Sequence, residues 1–315
     1  MIANPNELRV LAHELSSAAW SLAAIGALFE TGLADQLAAP RTLDELAAAS
    51  PGLTARRIAA VLDVCAERGV VAIDGERYQL APGVAPALCG PLRATLLGDL
   101  RSNLMQPLAL LDRAGQSWDH ADPALLEAQG DASAVLPAVI KQAFAPMLGD
   151  LAARLERPGA RLLDVGTGVG ALAIAACRSF PQLRVVGIDP APVALALARR
   201  RVAAAELGDR IELRQLAAEA LRDEAAFALA WLPAFFVPPD ALPAAIARVA
   251  AALEPGGWLI AAAPGAGPVW QLVTETWGGP TASAEVEALL ARAGLHEVRA
   301  LPGPPWALQL LAGRR

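Results

Sequence analysis

Residues 161–170 read RLLDVGTGVG. A short apolar run ends in Asp164, and Gly166, Gly168 and Gly170 follow at alternate positions. Periodicity makes the run a buried strand and the glycines a tight turn leading into a helix. Such turns commonly present backbone N–H groups to a phosphate. Asp164 stands two residues before the first glycine, where its charge opposes a phosphate and favours a ligand carrying positive charge.

From Arg161 onward, strands and helices alternate. The strand candidates are RLLDVG, RVVGID, RIELRQ, FALAWL and WLIAAA. Between them lie ALAIAACRSF, APVALALARRRVAAAEL and DALPAAIARVAAAL at helical spacing. This alternation predicts an α/β doubly wound parallel sheet. The end departs from it: GLHEVRAL and WALQLLAG are two strands joined by the short PGPP link, so they run antiparallel. In an open sheet of this kind the ligand lies beyond the carboxyl ends of the strands, at the switch point. That places Gly166–Gly170 at the site, with Asp189, which ends the second strand 25 residues after Asp164, as an acceptor for ribose hydroxyls.

Two cofactor classes fit these residues. G166-x-G168-x-x-A171 satisfies a permissive dinucleotide pattern, while Asp164 favours a cofactor bearing a sulfonium and an amino group. Here the chain resembles the class I S-adenosylmethionine-dependent methyltransferases. LLDVGTGVGALAIA is similar to their first motif, VVGIDPAPVALALAR to their second, and LEPGGWLI to the fifth-strand segment. The antiparallel last strand is also a mark of that family. The resemblance implies S-adenosylmethionine as cofactor, held by Asp164, Gly166, Gly168, Gly170 and Asp189. Glu219 and Trp231 are further candidates on the cofactor side, and Trp231, with Phe235 and Phe236 just past strand four, is also a candidate for the apolar pocket.

Two positions depart from the family pattern. The Gly-Asp pair whose acid holds the adenine amine falls on Leu216 and Ala217, so Glu219, two residues on, is the substitute; the other reading of Glu219 is an exposed acid at a helix start. The family's basic histidine falls on Phe236, four residues before Asp240. His120, in SWDHAD, is the remaining candidate general base, since an imidazole titrates near neutrality. Met147, Phe235, Phe236, Trp270 and Trp277 are the candidates for an apolar acceptor pocket. Methyl transfer also proceeds by in-line placement alone, since orientation can supply much of the acceleration. The expected reaction is methylation of a small, largely apolar acceptor, with oxygen favoured and secondary metabolism of a bacterium as the setting. Elimination or cyclisation around a bound sulfonium, and a ligand-sensing regulator, stay open. Asp164 opposes a nicotinamide oxidoreductase.

The first hundred residues follow a different pattern. Thr42 and Glu45 form a capping-box signature, Thr54 starts a second helix, and VVAIDGERYQL reads as two strands about Asp74-Gly75. Helix, helix and hairpin make a winged-helix pattern. It resembles the dimerisation domain of small-molecule O-methyltransferases, which implies a homodimer. DNA binding is disfavoured, because residues 1–100 hold seven arginines against eleven acids. The expected domains are 1–100, a linker and pocket roof at 101–156, and the cofactor domain at 157–315.

The whole chain of 315 residues carries a formal charge of −6, which argues against a nucleic-acid partner. Its three cysteines are far apart and show no metal-ligand spacing, so no metal is expected. The early uncharged run Leu15–Phe29 is shorter than the ~20 residues a membrane span needs. No secretion signal is evident in MIANPNELRV, and a cytoplasmic location is the expectation.

Overall fold

The computed structural model of the chain describes residues 2, 4–88, 90–111, 122–280, 282–303 and 308–315. It divides into two compact units, Met1–Pro107 and Leu108–Arg315. No helix among the described residues is long and apolar enough to cross a membrane.

The first unit holds α1 (Pro5–Glu30), α2 (Leu33–Gln36), β1 (Arg41–Thr42), α3 (Leu43–Ala49), α4 (Ala55–Glu67), β2 (Val71–Asp74), β3 (Arg77–Leu80) and α5 (Gly90–Met105). Local sequence sets most of its boundaries. Glu45 N–H donates to Thr42 Oγ1 at 3.3 Å, and Thr42 N–H to Glu45 Oε2 at 2.9 Å, closing the capping box at α3. Thr54 accepts from Arg57 N–H at the start of α4. The hairpin turns at Gly75 and Glu76, one residue later than the sequence suggests, because Asp74 still pairs with Arg77 and Gly75 takes the positive φ of +57°. The three short strands form an antiparallel sheet in the order β1-β3-β2. Ile58, Leu62 and Cys65 of α4 pack with Leu28, Phe29 and Leu46 in the core of this unit. The first sixteen residues of α1 bury nothing in it.

The second unit runs α6 (Pro123–Ala132), α7 (Leu136–Val139), α8 (Leu151–Glu156), β4 (Arg161–Val165), α9 (Ala171–Ser179), β5 (Arg184–Asp189), α10 (Pro192–Ala204), β6 (Ile211–Gln215), β7 (Phe227–Pro233), α11 (Leu242–Ala252), β8 (Leu253–Ala263), α12 (Pro268–Trp277), α13 (Ser283–Arg292), β9 (His296–Ala300) and β10 (Gln309–Arg314). Its seven strands lie in the order β6-β5-β4-β7-β8-β10-β9. β4 to β8 pair in parallel, and β10 inserts between β8 and β9, antiparallel to both. The fold is therefore Rossmann-like with an antiparallel end, as the alternation of elements predicts.

Each face of the sheet buries its own core. Leu162, Val185, Leu229, Trp231, Trp258 and Ile260 pack with residues of α8 and α9 on one side. Leu163, Val186, Ile188, Ala230, Leu232 and Leu259 pack with α11 and α13 on the other. Alternation along each strand divides these sets, so neither face tolerates a one-residue slip. β4 neighbours both β5 and β7, which puts the switch point of the sheet at its carboxyl end.

Residues 254–257 loop out between Leu253, paired with Phe227, and Trp258, paired with Leu229. A Cβ on Gly257 would lie 2.9 Å from the carbonyl oxygens of Glu254 and Phe227. Neither backbone can yield, so Gly257→Ala is expected to destabilise the protein by about 2 kcal/mol or more. Urea denaturation checks this; an unchanged midpoint would show that the start of β8 accepts a side chain.

Candidate functional site

β4 delivers Asp164 to the switch point, and the turn after it reverses the chain into α9. Three left-handed glycines make that turn possible, with φ of +65°, +55° and +76° at Gly166, Gly168 and Gly170. Gly166 also passes Pro233 at the end of β7, where a Cβ would sit 3.5 Å from its ring. Gly170 passes Ala198 of α10 at 3.4 Å.

The turn is held from below by side chains and by β5. Thr167 N–H donates to the Ile188 carbonyl at 3.0 Å, extending the β4–β5 ladder past the strand. Its hydroxyl donates to Asp164 Oδ2 at 2.7 Å. Gly168 N–H donates to Asp189 Oδ2 and Ala191 N–H to Asp189 Oδ1, both at 2.8 Å. Asp189 thus ties the glycine turn to the start of α10 through one carboxylate, and each oxygen retains a lone pair for a ligand.

The two acids are deeply placed. Asp164 is 1% exposed and Asp189 8%. Burial pushes the Asp164 carboxyl up to about 7; the Thr167 hydroxyl opposes this and the Asp189 charge adds to it. Asp189 is also raised by burial, against its two backbone donors. Among the described residues, the Thr167 hydroxyl is the one hydrogen-bond donor to Asp164, which leaves Oδ1 without a protein partner. A buried carboxylate with an open oxygen suits a cationic ligand, and the pair of acids does not suit a pyrophosphate.

The other sequence candidates fall into separate places. Trp231 lies beside Asp164 on β7, in register with it, and is buried with Phe235. Phe235 and Phe236 occupy the turn that follows β7, with ring centroids 4.3 Å apart and planes at 52°. Gly279, just after α12, lies so close to the Phe235 backbone that a side chain there has no room. This brings the end of α12, with buried Trp277, to the Phe235 turn. Trp270, also on α12, covers Gly265. Met147 stands apart: it is 51% exposed, and its carbonyl accepts from Arg299 of β9. Glu219 sits exposed on the single 3-10 turn Ala218–Ala220. His120 lies outside the described residues.

Thr167 and Gly187 support the turn at the candidate site and are not part of the motifs named from the sequence. Gly187 of β5 pairs with Asp164, and a Cβ on it would meet Thr167 Oγ1 at 2.7 Å. A glycine inside a strand signals such a close approach, so RVVGID carried the clue. Two shallow grooves lie elsewhere. One is between α11 and α13 at Pro243 and Leu289, the other at the amino edge of the sheet at Arg161, Arg184 and Arg210. The acids and glycines, not a groove, define the candidate site.

Comparison with known proteins agrees with this geometry. Residues 162–257 match the family described as "Methyltransferase domain". A release factor glutamine methyltransferase of Rhodopirellula baltica is 40% identical over 60 residues, 19% of this chain and 20% of that protein. The chain thus spans about a fifth of the length of the curated relatives it matches. Two solved structures align over almost their whole length. The apo S-adenosylmethionine-dependent methyltransferase SibL has TM-score 0.62 at 20% identity, covering 96% of this chain and 97% of that one. The mitomycin 7-O-methyltransferase MmcR has TM-score 0.58 at 20% identity, covering 98% of each. The chain shares the fold of these solved methyltransferases, and residues 162–257 carry the match to the methyltransferase-domain family.

The buried acid has a consequence for stability. Below about pH 4 Asp164 is protonated in both folded and unfolded chains. Between about 4 and 7 only the folded chain holds the proton, so stability falls as pH rises through this window. Asp164→Asn is therefore expected to raise stability at pH 8 by on the order of 2 kcal/mol, with the gain shrinking by half or more at pH 5. Thermal melts of both proteins over that range check it; a gain independent of pH would assign the effect to something other than ionisation.

Proposed function

We propose that this chain transfers a methyl group from S-adenosylmethionine to a small, largely apolar acceptor, with an acceptor oxygen as the favoured target. The observation that carries this reading is the buried pair Asp164 and Asp189 beneath a glycine turn at the switch point of the sheet. S-adenosylmethionine supplies an activated methyl carried on a positively charged sulfonium. In this reading Asp189 accepts the ribose hydroxyls, and Gly166, Gly168 and Gly170 let the backbone surround the amino-acid portion. Asp164 balances the positive charge. Trp231 and Glu219 serve the cofactor side, Glu219 as acceptor for the adenine amine.

The acceptor side is apolar. Phe235 and Phe236 form the turn after β7, the end of α12 with Trp277 meets that turn, and Trp270 lies further up α12 against Gly265. From Trp231 to Pro239 there is no titratable side chain. These residues exclude water and fix the acceptor, and placement replaces proton abstraction as the main contribution of the protein. Similarity to the mitomycin 7-O-methyltransferase supports oxygen as the target and a bacterial natural product as the acceptor.

The active form in this reading is a homodimer in the cytoplasm. Its basis is α1, on which Leu8, Leu11, Leu15 and Trp20 are exposed, Trp20 to 75%. Leu8, Leu11 and Leu15 share one face of the exposed first half of α1, which suits a second copy of the same unit; Trp20 is exposed on another side of the helix.

Three measurements check the proposal. S-adenosylmethionine and its demethylated product are expected to raise the melting temperature, and Asp189→Asn to weaken their binding tenfold or more. Stabilisation by NAD alone would sink the reading. His120→Ala is expected to leave kcat within about threefold, whereas removal of a true general base costs about 10²–10⁴-fold. Light scattering is expected to give twice the 32.5 kDa chain mass, and Leu15→Glu to give the single mass; a monomeric native protein would contradict the dimer.

A further inference from the structure

Gly130 lies inside α6, yet its φ is not in the left-handed region, so conformational freedom does not explain it. Glycine is the poorest helix former after proline, and alanine would serve the helix better. What glycine provides here is clearance. A Cβ at position 130 would overlap Val169 Cγ2, and it would lie 3.7 Å from Val169 Cβ and from Ala171 Cβ. Val169 is the fully buried residue between Gly168 and Gly170, at the centre of the glycine turn.

Neither partner has room to retreat. Leu125, Leu126 and Ala128 of α6 are buried, and the Asp131 carboxylate pairs with the Arg201 guanidinium on α10. The Gly130 carbonyl accepts from Ser133 N–H at 3.0 Å and from the Ser133 hydroxyl at 2.6 Å, which fixes the end of the helix. Val169 is β-branched and stiff at χ1, so it cannot swing aside cheaply. The glycines flanking it are the softest backbone nearby, and Gly168 carries the N–H bonded to Asp189.

We infer that Gly130 is a positioning residue for the cofactor turn: by admitting Val169 against α6, it sets the height at which Gly168 meets Asp189. The inference rests on the reading of residues 166–170 as the S-adenosylmethionine turn. Any side chain at position 130 pushes Val169 and moves the turn off the acid that holds it. The pressure acts through the Val169 methyl groups, so removing them relieves it.

The test compares wild type, G130A, V169A and G130A/V169A by calorimetric titration of S-adenosylmethionine and by hydrogen exchange at the Gly168 amide without ligand. G130A is expected to weaken binding at least tenfold and to speed exchange at Gly168. G130A/V169A is expected to return both to within threefold of V169A. Wild-type behaviour of G130A, or a double variant that recovers nothing, overturns the inference. If G130A does not fold, V169A and G130A/V169A carry the comparison, and a tenfold gap between them overturns it. Failure of the cofactor reading is seen separately, as a wild type that does not bind S-adenosylmethionine while the exchange pattern still follows the Val169 methyls.

Discussion

The Asp189 carboxylate accepts one backbone N–H from the glycine turn and one from the start of α10, and the candidate site depends on that bridge. The bridge joins the ends of two neighbouring parallel strands on the side where the sheet changes direction. It also requires a buried charge, and a second acid, Asp164, lies close enough to raise the cost. Two carboxyls at the carboxyl edge of one sheet, one with an open oxygen, are a poor arrangement for stability alone. They make sense where a cationic ligand shares the site.

The remainder of the second unit serves to keep that edge rigid. Apolar sets on both faces of the sheet fix strand register, so Asp164, Gly187 and Trp231 are brought side by side. Glycines are placed where helices or turns must approach closely: Gly170 at α10, Gly187 under Thr167, and Gly130 against Val169. Gly187 in its strand and Gly130 in its helix lower local propensity, Gly170 supplies a left-handed φ, and each allows a close approach.

Local chemistry made much of this legible in the sequence. The capping box at Thr42 and the alternation of strands with helices depend on neighbours a few residues apart, and the structure follows them. The acid before the glycines also pointed to a cationic ligand. The sequence did not show that Asp164 would be buried beneath Thr167, since that depends on β5 offering a glycine opposite it. Nor did periodicity place Met147, exposed beside β9, or show that Glu219 would sit on an exposed turn. The insertion of β10 between β8 and β9 is likewise a long-range pairing that no local pattern specifies. The approach of α6 to the glycine turn joins residues some forty positions apart, and its only trace in the sequence is a glycine inside a helix.

The central claim is that the glycine turn and its two acids hold a cation. The most direct measurement is calorimetric titration of S-adenosylmethionine near pH 7 in buffers of differing ionisation enthalpy, for wild type and Asp164→Asn. Bringing a positive charge to a carboxyl poised near 7 drives its proton off, so wild type should release more protons on binding than the variant, in which that carboxyl is absent. Equal proton release from the two would contradict the account, because Asp164 would then not respond to the bound charge.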